Sequence, residues 1–290
     1  MKRKALTMAV ITTVLWSGSY ILNKLAFQGG IGPLTLSGLR YLLASLLLFC
    51  LGRGKKQEGN HALSPWMVIL LGVLGYAVAQ GLQYVGQSYL TPTQSSLFLS
   101  VGNTVFVILL DMVWLRENQS KWDLVKLLFL ISGICLYYYP WEAGGLSGAG
   151  MLFMGLSSIG YGLNMTFNRR LLTTKHIGTR ALVAQPMFAG AVILLIVGLA
   201  VEGMPVITGR LLLILAYLSF ISGALGFYLW TGSQRHLTAF ESSSINNLML
   251  IEIALMDFIV FNRSFSILQI IAVLVVFGSI VSIQSRKASR

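Results

Sequence analysis

Residues 65–88 read PWMVILLGVLGYAVAQGLQYVGQS, a stretch without a single Asp, Glu, Lys or Arg. As a helix rising 1.5 Å per residue it is about 36 Å long, enough to cross the roughly 30 Å hydrocarbon core of a bilayer. Working outward, comparable runs lie near 5–27, 33–52, 92–114, 121–139, 148–170, 181–201, 210–233, 239–262 and 265–284. At about 21 residues each, these ten spans leave only short connections and tails, with no room for a soluble catalytic domain. Composition agrees: 56% of residues are hydrophobic and 10% are charged, against about 25% charged in soluble domains. A disordered chain needs the opposite balance. The expected fold is therefore an all-α membrane protein with ten transmembrane helices. The run after Met1-Lys2-Arg3-Lys4 is too long for a signal-peptide core and no small-x-small cleavage site follows it, so it is read as the first helix.

A net charge of +12 raises the question of a nucleic-acid partner, which the positions of the 21 Lys and Arg answer. With a cytoplasmic N-terminus, sixteen fall in the inner segments, beginning with Lys2, Arg3 and Lys4 and ending with Arg286, Lys287 and Arg290. Outer loops hold only Arg210 and Arg263. This is the positive-inside pattern with both termini cytoplasmic. The basicity reports topology and contact with anionic membrane lipids, and no nucleic-acid partner is expected. The two cysteines, Cys50 and Cys135, fall at different depths and are expected to stay unpaired. No CxxC or His/Cys cluster calls for a metal or cofactor.

The sequence echoes itself at about half its length. Asn23-Lys24 matches Asn168-Arg169 at an offset of 145, Gly133 matches Gly278 at 145, and Asp111 matches Asp257 at 146. Gly72, Gly75 and Ala79 match Ala216, Ser219 and Gly223 at 144. These matches run in order and divide the chain into five-span units, residues 1–145 and 146–290. Five is odd, so the second unit enters the membrane upside down. Inverted repeats of this kind are typical of secondary transporters whose site lies near the midplane.

Helix 1 reads LWSGSYILNKLAF (15–27); Pro33 and LRYLLAS (39–45, with Arg40) open the second span; LREN (115–118) and LISGICLYY (130–138) close the first half. In these features the chain resembles the EamA-type branch of the drug/metabolite transporter superfamily. The resemblance implies a central cavity lined by helices 1, 3, 4, 6, 8 and 9, a small-metabolite cargo and export as the direction. The second half departs from the pattern, with Tyr161 where helix 1 has Trp16, and Asn262 and Arg263 near the position of Glu117.

Polar residues within spans are costly and usually face the protein interior. Helix 1 carries Trp16, Tyr20 and Asn23 at i, i+4 and i+7; helix 3 carries Tyr76, Gln80, Tyr84 and Gln87 at i, i+4, i+8 and i+11. Helix 4 adds Ser96, Ser100 and Asn103, and helix 6 adds Ser157, Tyr161, Asn164 and Asn168. The helix 3 stripe has far less polar mates in the second half, Phe220, Ala224, Tyr228 and Thr231, so a cargo held off-centre is expected. The substrate-binding candidates are Trp16, Tyr20, Tyr76, Gln80, Tyr84, Asn103, Tyr161, Asn164, Tyr228 and Asn246. Their aromatic faces suit an amphipathic or cationic molecule.

Six ionisable residues lie inside the spans: Lys24, Arg40, Lys126, Asp111, Glu252 and Asp257. Asp111 with Lys126, and Lys24 with Asp257, share depths and can pair or snorkel. Glu252, in LMLIEIALM, is the most apolar in setting and the closest to the bilayer centre. A carboxylate there that takes up and releases a proton is what proton-coupled exchange requires. The competing reading pairs it with Arg40. The function expected is secondary transport of a small organic metabolite, such as an amino acid or an amphipathic or cationic compound, across a bacterial cytoplasmic membrane by alternating access, with protons as the candidate coupling ion. A lipid-linked sugar flippase and a non-transporting receptor or structural protein are the alternatives. An enzyme is not expected, since His61, His176 and His236 are far apart in loops and no HExxH or GxSxG motif occurs.

Overall fold

The computed structural model of the chain describes residues 2–52, 62–90, 92–110, 121–137, 139, 147–175, 177–261 and 266–284. Asp111, residues 53–61, Arg116 and Glu117, Asn262 and Arg263, His176 and the basic C-terminal residues 285–290 lie outside these residues, as does the Asp257 side chain.

The described residues are helical almost throughout. The helices are α1 (Lys2–Gln28), α2 (Pro33–Gly52), α3 (Pro65–Tyr89), α4 (Pro92–Leu110), α5 (Lys121–Tyr137), α6 (Gly148–Thr174), α7 (Thr179–Glu202), α8 (Gly209–Ser233), α9 (Ala239–Asn246), α10 (Leu248–Phe261) and α11 (Ile267–Gln284). The first eight and the last correspond to expected spans, whereas the ninth span is broken by a turn at Asn247 into α9 and α10. Five of the helices, α1, α2, α3, α7 and α8, are long and apolar enough to cross a membrane, and shorter apolar helices cover Val125–Tyr137 and Ile267–Ser282. Starts follow local chemistry: Ser64 before Pro65, Ser147 and Thr208 each accept a backbone N–H of the first turn. Thr238 and Glu241 form a reciprocal capping box that opens α9. Gly30 and Gly203, both at positive φ, end α1 and α7.

Contacts fix the helix directions. Lys2 of α1 meets Glu241 of α9, and Arg169 near the end of α6 meets the carbonyl of Leu237, so these ends lie together; they are called the tail end below. At the opposite, far end, Tyr89, the last residue of α3, and Leu90 after it lie against Gly150 at the start of α6, and Ile31 clusters with Leu211 of α8. So α1 and α3 run from tail to far, while α6 and α8 run from far to tail. Likewise Glu202, ending α7, meets the start of α2, whereas Arg180, near the start of α7, packs on Gly52. Packing pairs helices across the halves: α2 on α7, α5 on α11, α1 on α8, α3 on α6, α4 on α6 and α1 on α10.

Two features of the local winding stand out against a plain α-helical reading. Nine-residue π-helical segments, with i→i+5 bonding, interrupt α3 at Val73–Gly81 and α8 at Tyr217–Leu225, starting 144 positions apart. They sit where α3 crosses α7 and where α8 crosses α2. The α3–α7 crossing is backbone-close: a Cβ on Gly190 would lie 2.4 Å from Tyr76 Cβ and 2.6 Å from the Gly72 carbonyl oxygen. Only glycine permits that approach, as in other close membrane-helix contacts. On the outer faces, large apolar side chains such as Leu128, Leu152, Ile196, Leu213 and Leu274 are exposed, a surface suited to lipid rather than water. Cys50 and Cys135 form no disulfide.

Candidate functional site

Where the halves meet, a polar pocket lies between α1, α2, α3, α4, α6, α8, α9 and α10. Helix α1 supplies Trp16, Ser19, Tyr20 and Asn23, and α3 supplies Gln80, Gln83 and Gln87. Ser96, Ser100 and Asn103 come from α4, Tyr161 from α6, Asn246 from α9 and Arg40 from α2. Leu99, Phe227 and Met249 complete the wall with apolar surface. Tyr20 and Gln87 also belong to a second pocket that continues along Lys24, Phe27 and Gln28 to Ser88 and Leu90, at the far end.

The tail end is tied across the halves. Lys2 Nζ lies 2.5 Å from Glu241 Oε1, and Asn247 Nδ2 and Ser243 Oγ donate to Thr104 Oγ1 at 2.9 and 3.3 Å. Within the second half, Arg169 donates to the Leu237 carbonyl, and Arg235 donates to the Ile177 carbonyl at 3.1 Å and to Thr179 at 3.1 Å. The last contacts use residues 177 and 179, which start α7, to hold the turn between α8 and α9.

Six of the ten binding candidates line the pocket: Trp16, Tyr20, Gln80, Asn103, Tyr161 and Asn246. The other four lie behind it. Tyr76 packs edge-on against Tyr41 and tilted against Phe227, at 5.3 and 5.6 Å between centroids. The Tyr84 hydroxyl accepts a hydrogen bond from Arg40, Asn164 lies against Gly75 of α3, and Tyr228 packs on the main apolar core. On α3 the pocket face is Gln80, Gln83 and Gln87, at i, i+3 and i+7, and Gln83 went unrecognised because the stripe was drawn in steps of four through Tyr76, Gln80 and Tyr84, although i+3 neighbours share a helix face as well. Phe227, Leu99 and Met249 carried no polar signal that could have singled them out.

Glu252 on α10 is not paired with Arg40. Its Oε1 accepts from Thr13 Oγ1 at 2.9 Å and its Oε2 from Ser17 Oγ at 2.7 Å, both on α1. Each hydroxyl also lies within hydrogen-bond distance of its own helix, Thr13 Oγ1 at 2.7 Å from the Val10 carbonyl and Ser17 Oγ at 2.9 Å from the Thr13 carbonyl. A hydroxyl has one proton to give. With the carboxylate charged, both hydroxyls donate to it; with it protonated, its O–H donates to one hydroxyl, which turns its proton back to the helix. The site satisfies both forms by rotating one hydroxyl. Lys126 Nζ donates to the Ser282 carbonyl at 2.8 Å, and Lys24 is exposed at the far end.

Helices with apolar outer faces around a polar interior pocket define a multi-pass membrane protein. The chain belongs to the EamA-like transporter family, whose model matches residues 3–139 and again residues 148–284; that family is part of the drug/metabolite transporter superfamily. It is similar to a Bacillus subtilis protein named an uncharacterized transporter, YyaM, at 24% identity over 86% of this chain and 84% of that one. A Clostridium kluyveri protein, also named an uncharacterized transporter, is 20% identical over 98% of this chain and 94% of its own. A solved crystal structure covering 100% of both chains has a TM-score of 0.81 at 15% identity, and so shares the fold. Family and relatives point to a transporter rather than an enzyme.

Proposed function

We propose that the protein is a secondary carrier that moves a small polar organic solute across the bacterial cytoplasmic membrane by alternating access. Two inverted five-helix repeats rock about the central pocket, with both termini cytoplasmic and export as the direction. The observation that carries this reading is the pocket's asymmetry. Polar side chains from both halves surround it, a second pocket extends it to the far end, and hydrogen bonds and an ion pair between the halves close the tail end. A carrier caught open to one side looks like this, since gating of one repeat against the other exposes a midplane site alternately.

What supports the inverted repeat is the pairwise reversal of helix direction between α1 and α6, α2 and α7, and α3 and α8. The two π segments 144 positions apart support a duplicated unit. With a cytoplasmic N-terminus the open side is the outside, and Lys2–Glu241 is part of the inner gate. Proton coupling is placed at Glu252, whose hydroxyl partners on α1 accommodate both protonation states while α1 itself forms a pocket wall.

The test is side-specific cysteine accessibility. In a background with Cys50 and Cys135 replaced by Ser, Gln80→Cys and Asn103→Cys are each exposed to a membrane-impermeant thiol reagent in right-side-out and inside-out vesicles. The expected result is labelling at both positions from the outside, with inside labelling rising when Lys2→Ala loosens the gate. Protection of both positions from both sides would mean a closed core and remove the carrier reading.

A further inference from the structure

We propose that the pocket takes an anionic solute, a carboxylate in the simplest case, and that Arg40 is the residue that binds its negative charge. This rests on the carrier reading above and narrows its substrate class.

Arg40 is only 4% exposed and forms part of the pocket wall. Of its five N–H donors, one on Nη1 goes to the Tyr84 hydroxyl and one on Nη2 goes to Ser222 Oγ at 2.6 Å. The Nε–H has no acceptor among the described residues. Both partners are neutral, and so are the tyrosine rings flanking the guanidinium, Tyr41 and Tyr84 at 5.1 and 5.8 Å. Ser222 is itself held by Ser19, 2.6 Å between the hydroxyl oxygens, so the guanidinium is oriented before any solute arrives.

Among the described residues no carboxylate pairs with this charge. Among the described residues the pocket wall contains no Asp or Glu. The carboxylates whose side chains are described have other partners: Glu252 with Thr13 and Ser17, Glu241 with Lys2, and Glu202 with the backbone N–H groups of Leu34 and Thr35. A buried cation without a counter-charge is costly and is ordinarily paired. An oriented guanidinium with three N–H groups to spare is the donor set that recognises a carboxylate through paired hydrogen bonds.

The rest of the wall fits the remainder of such a solute. Gln87 Nε2 is a further donor without a partner, and Asn23 Oδ1 and Asn103 Oδ1 are acceptors without one. Leu99, Phe227 and Met249 offer apolar surface. The aromatic residues are poorly placed as a cation box. Trp16 packs on Phe227 and Trp230 at 5.0 and 5.2 Å, and its N–H is given to the Ser222 carbonyl. The anionic class therefore replaces the cationic cargo that the aromatic composition implied.

The test uses matched series in which one scaffold carries a carboxylate, a carboxamide or an amine, beginning with phenylacetate, phenylacetamide and phenethylamine and extending to aliphatic members. Thermal stabilisation of the purified full chain is measured first, followed by flux into proteoliposomes. Carboxylates are expected to bind and move, with their amide and amine mates weaker by about tenfold or more. Arg40→Gln should weaken carboxylate binding by about ten- to hundredfold, and Arg40→Lys should keep the preference for anions at reduced affinity. If Arg40→Gln does not fold, Ser222→Ala serves instead: it frees one guanidinium N–H without removing the charge, so anion selectivity must persist. Amides or amines that bind as well as their carboxylate mates, no binding by any carboxylate, or carboxylate binding undiminished in folded Arg40→Gln would each overturn the proposal. Flux of neutral or cationic solutes alone overturns it while leaving the carrier reading intact. Flux of no solute of any class removes both.

Discussion

Replacing Glu252 with Gln separates a coupling role from a structural one. In the wild type the carboxylate accepts hydroxyl hydrogen bonds at 2.9 and 2.7 Å from α1. In the variant the amide oxygen still accepts one of them, and the amide N–H donates to the other hydroxyl, which turns its proton to a helix carbonyl, Val10 at 2.7 Å or Thr13 at 2.9 Å. Every polar atom of the cluster keeps a partner. The loss is the difference between bonds to a charged group, about 1.5–3 kcal/mol each, and neutral bonds, about 0.5–1.5 kcal/mol each. Over two bonds that is about 2 kcal/mol relative to the charged form, and close to zero relative to the protonated form. The protein should therefore fold and bind its solute. What it loses is the exchangeable proton. In proteoliposomes, solute flux driven by an imposed pH gradient is expected to fall to the level seen without a gradient, and pyranine trapped in the lumen should report no solute-dependent proton movement. Flux that keeps its full response to the gradient in Glu252→Gln would refute the coupling role and leave the cluster a structural clasp between α1 and α10.

Other perturbations test the architecture and the gate. Gly190→Ala places a Cβ against the Tyr76 Cβ and the Gly72 backbone, neither of which can move independently; overpacking of about 1–3 kcal/mol should lower the melting temperature and slow transport, whereas Gly155→Ala, where a Cβ meets nothing within 4 Å, should leave both unchanged. Glu202→Ala removes the acceptor for the backbone N–H groups of Leu34 and Thr35 and for the Thr35 hydroxyl; a loss of about 1–2 kcal/mol, read by thermal unfolding in detergent, is expected, and no change would mean that this cap contributes nothing. Lys2→Ala costs little stability, since partly exposed ion pairs contribute about 0–1 kcal/mol. It should nonetheless raise cytoplasmic-side labelling of Asn246→Cys, because the pair joins α1 to α9 across the gate.

The spans were legible because lipid imposes one rule along the whole chain: about 20 consecutive apolar residues, every backbone group bonded within its own helix. Residues 65–88 and 210–233 needed no tertiary information to be read as helices. The offset of 144 between their small residues, Gly72 with Ala216 and Gly75 with Ser219, reappears in the two π segments. The break at Asn247 was less legible, since no Pro or Gly marks it; the apolar run LMLIEIALM starts only at Leu248, after the polar stretch SSSINN at 242–247, where Asn247 bonds to Thr104. Residues of the pocket were recognised where the helix is regular, as on α1 with Trp16, Tyr20 and Asn23. On α3 a stripe drawn in steps of four took in Tyr76 and Tyr84 and missed Gln83, because i+3 and i+4 positions are equally near on a helix face and only the neighbouring helices decide which side of the stripe meets the pocket.

Hydrophobicity and charge bias act locally, each residue on its own, so sequence alone determined that this chain lies in a membrane, where its helices run and which family it belongs to. The partners of its few buried polar groups depend on which helix faces which, and only the tertiary structure decided them. Arg40 and Glu252 were both legible as intramembrane charges that could have neutralised each other. Folding sends the carboxylate to two hydroxyls of α1 and leaves the guanidinium in the pocket wall among neutral neighbours, and that separation gives the site its charge.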